Sequence, residues 1–387
     1  MAAPTRETTM LERRIYDEDH ELFRDNVRRF FEEEVMPRHD AWEEKGYVDR
    51  DVWEKAGALG LLCGTMPESY GGSGVDRRYS AVLIEEQHRF GASGIGFSLH
   101  SDIVAPYINS YGTEDQKAAY LPAMAKGEKI GAIAMTEPGT GSDLQGIQTR
   151  ADLQGDEFVI NGAKTYITNG WNCDFAIVVA KTGGEGGAKQ MSLLLVEADR
   201  KGFHKDKPFK KLGLRAQDTC QLTFDDVRVP KENILGARNG AFPMLMNELA
   251  WERLIIAIGC AQSMETAFEL ARDYTRERQA FGRPIASFQD ARFKLADLKT
   301  KAQIAQVFVD RCIEAEIEGN LAPDTAAMAK AWTSEVLGEV ADVAVQLHGG
   351  YGFMWEAPIT RLYADARVQR IYGGSTEIMK EIIARNL

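Results

Sequence analysis

The chain has 387 residues, 44% of them apolar, enough for two or three domains around substantial cores and for a buried ligand site. Its formal charge of −12, dispersed along the whole length, argues against a nucleic-acid-binding surface, which needs clustered Lys and Arg to neutralise phosphates. The five cysteines, at 63, 173, 220, 260 and 312, form no Cys-x-x-Cys pair and no Cys/His ligand spacing, so neither a disulfide framework nor a metal site is expected and a reducing compartment fits best.

The opening MAAPTRETTMLERRIY lacks the apolar stretch of a secretory leader and carries Glu7 and Glu12, so it reads as a short frayed start to a cytoplasmic protein. No apolar run approaches the roughly 20 residues needed to span a bilayer, so no stable membrane insertion is expected. From Asp17 to about Lys129 the pattern is helical. Leu22, Phe23, Val27, Phe30, Phe31 and Val35 recur at spacings of three and four, and Pro37 is expected to stop that helix. Further helices are predicted over 51–59, 78–90, 98–111 and 113–126, with a glycine loop at Gly71, Gly72 and Gly74. Thr113 and Gln116 have the spacing of a capping box.

Near Ile130 the pattern changes to short β-branched and aromatic runs, predicted as strands over 157–160, 165–168, 175–179, 192–196 and 221–224. Asn161-Gly162 reads as a type I′ hairpin turn between the first two, and 183–187 as a flexible glycine loop. After Gly240 helices return. Met328, Trp332, Val336, Val340, Val343 and Leu347 form one stripe, and Ile304, Val307, Phe308 and Cys312 another, as in a helix bundle. The expected organisation is α, β, α, over residues 1–130, 131–239 and 240–387.

The sharpest local motif is MTEPGTGSD at 135–143. Pro138, Gly139 and Gly141 force a loop that exposes backbone amides beside Thr136 and Ser142, a shape that receives a phosphate or a ring edge. It matches neither GxGxxG nor GxxxxGK, which removes the main support for nicotinamide-Rossmann and P-loop readings. Three other segments, KTYITNG (164–170), RERQAFGRPIASFQ (276–289) and VQLHGGYGF (345–353), follow in order, and IYGGSTEI (371–378) closes the series. Together they closely resemble the signatures of the acyl-CoA dehydrogenase family, essentially over the full length of the chain.

That resemblance implies an α+β fold with an N-terminal helical domain, a middle β-barrel or sandwich domain and a C-terminal four-helix bundle. It implies FAD against the middle domain, with Met135, Thr136, Gly141 and Ser142 along the flavin and pyrophosphate and Tyr166, Ile167 and Thr168 behind the ring. Tyr166 replaces the tryptophan of several relatives but keeps an aromatic face. Arg278 and Phe281 fall to the cofactor's phosphate side. Gln289, Gln346, Leu347, His348, Gly349 and Gly350 fall to an adenosine half shared between protomers, and Ser375, Thr376 and Glu377 to the flavin. A homo-oligomer, expected as a tetramer, is therefore part of cofactor binding. Taken without the motif, Arg278 is a solvated helix charge among Arg276, Glu277 and Arg283, and His348 a helix-end packing residue.

In the family a carboxylate removes the α-proton of an acyl-CoA thioester, a hydride passes to flavin N5, and the product is a trans-2-enoyl-CoA. Most members carry that carboxylate where this chain has Gly373. The backbone amide of Gly373 survives the replacement and still offers a hydrogen bond to the enolate oxygen. Glu252, in NELAWERLIIAIG, matches the alternative base position of the long-chain and isovaleryl branch; without the resemblance it reads as a salt-bridged helix residue. Around the thioester and pantetheine the resemblance places Ser142, Ala250, Trp251, Glu252, Arg253, Gly373 and Gly374. Phe242-Pro243 departs from long-chain relatives, whereas MKEIIAR after the glycine turn matches them better than isovaleryl enzymes. The reading is a long-chain acyl-CoA dehydrogenase that passes electrons to electron-transfer flavoprotein. The competing readings are an oxygen-using acyl-CoA oxidase, a short- or branched-chain dehydrogenase, and a non-catalytic CoA-binding protein.

Overall fold

A computed structural model describes residues 11, 13–183 and 190–387. Residues 184–187 of the expected glycine loop, and residues 1–10 and 12 of the expected frayed start, lie outside the described residues. From Arg13 onward the start is tied down: the Arg13 guanidinium sits 2.6 Å from Glu85 and 2.7 Å from Asp310, and Ile15 is buried.

The N-terminal part is helical: α1 (Glu18–Phe30), α2 (Met36–Lys45), α3 (Asp51–Ala58), α4 (Arg77–Arg89), α5 (Ala105–Tyr111) and α6 (Glu114–Ala125). Pro37 does not stop the first helix. A π-helical turn, Phe31–Val35, links α1 to α2, and Pro37 falls at the start of α2. A proline removes one N–H from the ladder, and the wider π turn shifts the register just ahead of it. The same device recurs before Pro106, where the π turn Leu99–Val104 leads into α5. Thr113 and Gln116 form the expected capping box at the start of α6.

The middle part is a sheet of eight strands: β1 (Gly131–Ala134), β2 (Arg150–Gln154), β3 (Glu157–Thr168), β4 (Phe175–Lys181), β5 (Met191–Glu197), β6 (Phe203–Lys205), β7 (Thr219–Pro230) and β8 (Ile234–Leu235). The order is β6-β7-β3-β2-β4-β5-β8, with β1 parallel to β4. Asn161-Gly162 is not a hairpin turn, because β3 runs straight through it. Instead Asn161 exchanges hydrogen bonds with Asp226 on β7, and the pairing register shifts between Ile160 and Gly162. The actual hairpin joins β2 to β3 through Gly155 and Asp156, with Gly155 at φ +66°. Strand β4 is buried on both faces: Ala176, Val178 and Ala180 face the core shared by the sheet, and Phe175, Ile177 and Val179 face the N-terminal helices. That double burial explains its unbroken apolar run.

The C-terminal part packs three long helices, α7 (Ala241–Glu277), α8 (Gln289–Ile317) and α9 (Pro323–His348), with the shorter α10 (Pro358–Ala366) as a fourth against α7 and α9, and α11 (Thr376–Ala384) on α9. By length and composition α7 is apolar enough to cross a membrane, but 72% of its most apolar window is buried inside the protein. The stripe expected on α8 is only partly inward. Cys312 is buried, but Ile304 and Val307 are exposed, and the helix instead buries Leu298, Ala302, Ala305 and Val309.

Helix α7 also carries the contact between the two helical parts. A Cβ on Gly259 would lie 2.4 Å from the ring of His88 on α4, which bonds Ser263 at 3.0 Å. Gly259→Ala should therefore cost about 1–3 kcal/mol in chemical denaturation through overpacking. His88→Ala in the same chain should recover part of it; no recovery would place the strain elsewhere.

Candidate active site

The site is assembled on α7 at Glu252. Its carboxyl is almost wholly buried and accepts a hydrogen bond from the Tyr107 hydroxyl on α5 at 3.1 Å. One turn on along α5 and one turn back along α7, the Tyr111 hydroxyl bonds Glu248 at 3.1 Å, so two tyrosines face two carboxylates across the α5–α7 contact. Burial pushes the Glu252 carboxyl up to about 7. The Tyr107 hydrogen bond and the Arg253 charge oppose that shift, and the Glu248 charge adds to it. An acid that half-ionises near neutrality suits proton abstraction. The salt-bridge reading of Glu252 fails: among the described residues it has no ion pair.

Gly373 lies against the same stretch of α7, whereas Gly374 faces Ile378 and Met379 of α11. A Cβ on Gly373 would fall 2.4 Å from Cδ1 of Ile256, and Ile256 is one turn beyond Glu252 on the same face. Gly373 has φ +62° and Gly374 φ +94°, conformations that strain any other residue. Position 373 thus needs glycine both for its dihedrals and for the room Ile256 takes. Ser375 caps α11 by accepting from the Ile378 N–H, Glu377 is exposed in its first turn, and Thr376 is buried with no partner for its hydroxyl.

The flanking α7 residues divide. Ala250 is half-buried. Trp251 points to α4, where Arg77 lies 4.7 Å above its ring, so it backs the helix. Arg253 is buried with its Nε unpartnered, and burial lowers its affinity for a proton.

The MTEPGTGSD loop is pinned from beneath by a pair that sequence reasoning passed over. Lys164 on β3, fully buried, donates to the Met135 carbonyl at 2.9 Å and to Glu137 at 2.8 Å. Glu137 in turn accepts from the amides of Gln148 and Thr149 at 2.5 and 2.9 Å. Burial pushes Lys164 down to about 8, while burial of Glu137 is outweighed by the Lys164 charge, which holds that carboxyl below its ordinary value. The Thr136 carbonyl accepts from the Thr165 amide, and Gly139, Gly141 and Ser142 are left exposed at the loop's tip. Beside it β3 breaks its register between Lys164 and Ile167. The break puts Tyr166 at φ +59°, 69% exposed, while Ile167 turns inward and Thr168 is half-buried.

Tyr166 and the open loop form one exposed surface. Elsewhere on the chain a cleft of about 930 Å³ opens between the end of α7 and the end of α9, lined by Arg278, Phe281, Gln346, Leu347, His348, Gly349 and Gly350. Tyr274 stacks on His348 at 4.4 Å, and the Arg278 side chain makes no ion pair among the described residues. A Cβ on Gly349 or Gly350 would meet nothing within 4 Å, so the cleft floor is open backbone. His348 donates from Nδ1 to the Ala344 carbonyl at 2.7 Å and is buried, which is the packing role rather than that of an acid or base. Gln289 is exposed at the first position of α8 and does not line the cleft; its neighbours Phe288 and Asp290 do. In the cleft, an unpaired guanidinium and a glycine floor suit a phosphate-bearing ligand, and the exposed Tyr166 ring suits a flat ring system.

The chain matches the sequence family described as acyl-CoA dehydrogenase, N-terminal domain, over residues 17–128, the middle domain over 132–227 and the C-terminal domain over 239–387. It is 50% identical to the mitochondrial long-chain specific acyl-CoA dehydrogenase of Rattus norvegicus over 97% of this chain and 88% of that one. A crystal structure of acyl-CoA dehydrogenase from Geobacillus kaustophilus superposes with a TM-score of 0.95 at 44% identity, covering 97% of this chain and 99% of that one. An acyl-CoA dehydrogenase from Bacillus anthracis complexed with FAD superposes at 0.90 with 34% identity, covering 96% of this chain and 67% of that one.

Because Glu252 rises from 4.5 to about 7 on folding, the folded chain keeps a proton between those pH values that the unfolded chain releases. Stability therefore falls as pH rises through that window, by about 2–3 kcal/mol from this group. Glu252→Gln removes the ionisation. Its effect in urea unfolding should be more stabilising at pH 8 than at pH 5 by that amount; an equal effect at both would contradict a buried, raised carboxyl.

Proposed function

The chain belongs to the acyl-CoA dehydrogenase family, and from that premise we propose that it oxidises long-chain acyl-CoA thioesters with Glu252 as the base. It is an FAD-dependent oxidoreductase acting on acyl-CoA. The observation that carries the finer reading is the buried, raised carboxyl of Glu252 one turn from the residue that packs on Gly373.

In this reading the thioester lies between α7 and the 373–374 turn. Glu252, ionised, takes the α-proton, while the amide of Gly373 meets the thioester oxygen as negative charge develops there. A single donor at such a position is worth a factor of about 10² to 10³. Tyr107 keeps the carboxylate oriented and supplies a hydrogen bond that favours its charged form. FAD, when bound, would supply the acceptor for the β-hydride. Met135, Thr136, Gly141, Ser142 and the 166–168 segment would hold its ring end, and Arg278, Phe281 and Gln346–Gly350 its phosphate and adenosine end.

Long-chain preference is supported by the identity to the rat enzyme and by MKEIIAR. A homo-oligomer, proposed as a tetramer, is supported by the surface apolar residues Phe281, Phe293, Ile304, Val307 and Phe353 on the C-terminal part. The division at 130/131 and 239/240 belongs to the same reading. So do electron-transfer flavoprotein as acceptor and a cytoplasmic location, the latter suited by five free, buried cysteines.

A panel of acyl-CoA thioesters, scored anaerobically by flavin bleaching, should give its fastest reduction with long chains and slow reoxidation when air alone is admitted. Rapid turnover on oxygen would instead favour an oxidase. Glu252→Gln should retain FAD and bind thioester yet bleach about 10² to 10⁴ times more slowly; unchanged reduction would remove Glu252 from the mechanism.

Since the base must be ionised, reduction should rise with pH through the region of 7. Tyr107→Phe removes a bond to the charged form and should move that rising limb about one unit higher. A limb that stays in place would mean that another group sets it.

A further inference from the structure

The 373–374 turn has no side chains with which to hold itself, and the chain is fixed only on either side of it. Upstream, the amides of Ile371 and Tyr372 bond the Val368 carbonyl; downstream, Ser375 caps α11. Between those points both residues sit at positive φ. One side chain reaches the turn. Lys330, on α9, is 0% exposed, and its Nζ donates to the Gly374 carbonyl at 2.5 Å. Among the described residues this is the only side-chain hydrogen bond to either glycine, and Lys330 has no carboxylate partner.

We propose that Lys330 is a positioning residue for the reaction, its buried ammonium fixing the Gly374 carbonyl and so the placement of the Gly373 amide at the thioester oxygen. The inference rests on the functional reading above, because it presumes that this amide faces the substrate.

Packing alone gives no reason for a lysine here. Its neighbours Ala327 and Ala331 form a small apolar cluster with Met379 of α11, and a methionine or leucine would fill the same space without the cost of burying a charge. What the lysine adds is directional grip on a carbonyl and a positive charge beside the place where an enolate forms. Both effects are strong where water is excluded. The titratable groups that act on it are Cys260 and Arg253 on α7 and Glu377 at the start of α11. Burial lowers Lys330 to about 8, with Arg253 pushing the same way and Cys260 and Glu377 opposing. It is thus mostly charged at neutral pH and loses its charge just above.

The test is rapid-mixing reduction of the FAD-loaded enzyme by a saturating long-chain acyl-CoA across pH 6 to 9.5, for wild type, Lys330→Met and Lys330→Gln. The expected result is about a 10²-fold slower reduction in Lys330→Met, of the order that a misplaced reacting group costs. FAD content and the Kd for a non-oxidisable thioether analogue should stay within a few-fold of wild type. Lys330→Gln, which keeps a donor, should lie between. Wild-type reduction should also decline above about pH 8, a decline absent from Lys330→Met. The proposal is overturned if Lys330→Met reduces its flavin at the wild-type rate, or if it loses rate only in proportion to lost FAD with an unchanged pH profile. Should neither variant fold, a wild-type rate that is flat to pH 9.5 overturns it as well. A wild-type flavin that no thioester bleaches overturns both this inference and the functional reading, whereas normal wild-type bleaching with an unaffected variant overturns this inference alone.

Discussion

The mechanism proposed for this molecule depends on keeping one carboxyl group, that of Glu252, out of water while leaving it usable. A carboxylate moved into an apolar interior either finds a cation or takes up a proton. Here it does neither completely. It has a hydroxyl from another helix in place of a cation, and a second acidic group one turn away, so it titrates near neutrality. That balance requires α5 and α7 to be held in register, which explains several features at a distance. The π turn before Pro106 sets the rotation of α5, the glycine at 259 lets α4 and α7 close on one another, and Arg77 over Trp251 covers the far side of α7.

The glycine at 373 has its meaning only within this arrangement. If the base came from the turn, the turn would need a side chain, and Ile256 stands in its way. In the proposed mechanism the base is on α7 and the turn is reduced to backbone, and backbone is what a developing oxyanion needs. That mechanism separates the proton acceptor and the oxyanion donor onto two elements, α7 and the segment before α11. Each can then be held by its own neighbours. The buried pair Lys164–Glu137 does comparable work for the 135–143 loop, pinning a run of small residues from beneath.

Much of this was legible in the sequence, for reasons that differ from residue to residue. The helical parts and most strands follow from periodicity, and the cofactor cleft follows from motifs that keep their order. Glu252 was legible because Gly373 cannot act as a base and the resemblance supplied an alternative position. Tyr107 was not, because its partner is 145 residues away and nothing local marks a tyrosine in an apolar helix. Lys164 lay inside a quoted motif and carried a usable signal, a charge in the middle of a strand. Asn161-Gly162 misled because the dipeptide's tolerance of unusual dihedrals serves a bulge as well as a turn, and Gly155-Asp156 was the true turn. Pro37 misled because a π turn can absorb a missing hydrogen bond.

The central claim is that Glu252, and no other group, removes the α-proton. The most direct test is exchange of that hydrogen, followed by mass spectrometry, when a long-chain acyl-CoA that cannot lose a β-hydride is incubated with the FAD-loaded enzyme in D₂O. The wild-type enzyme should label the α-carbon, and Glu252→Gln should not label it above the rate in solvent alone. Labelling by Glu252→Gln at the wild-type rate would contradict the account.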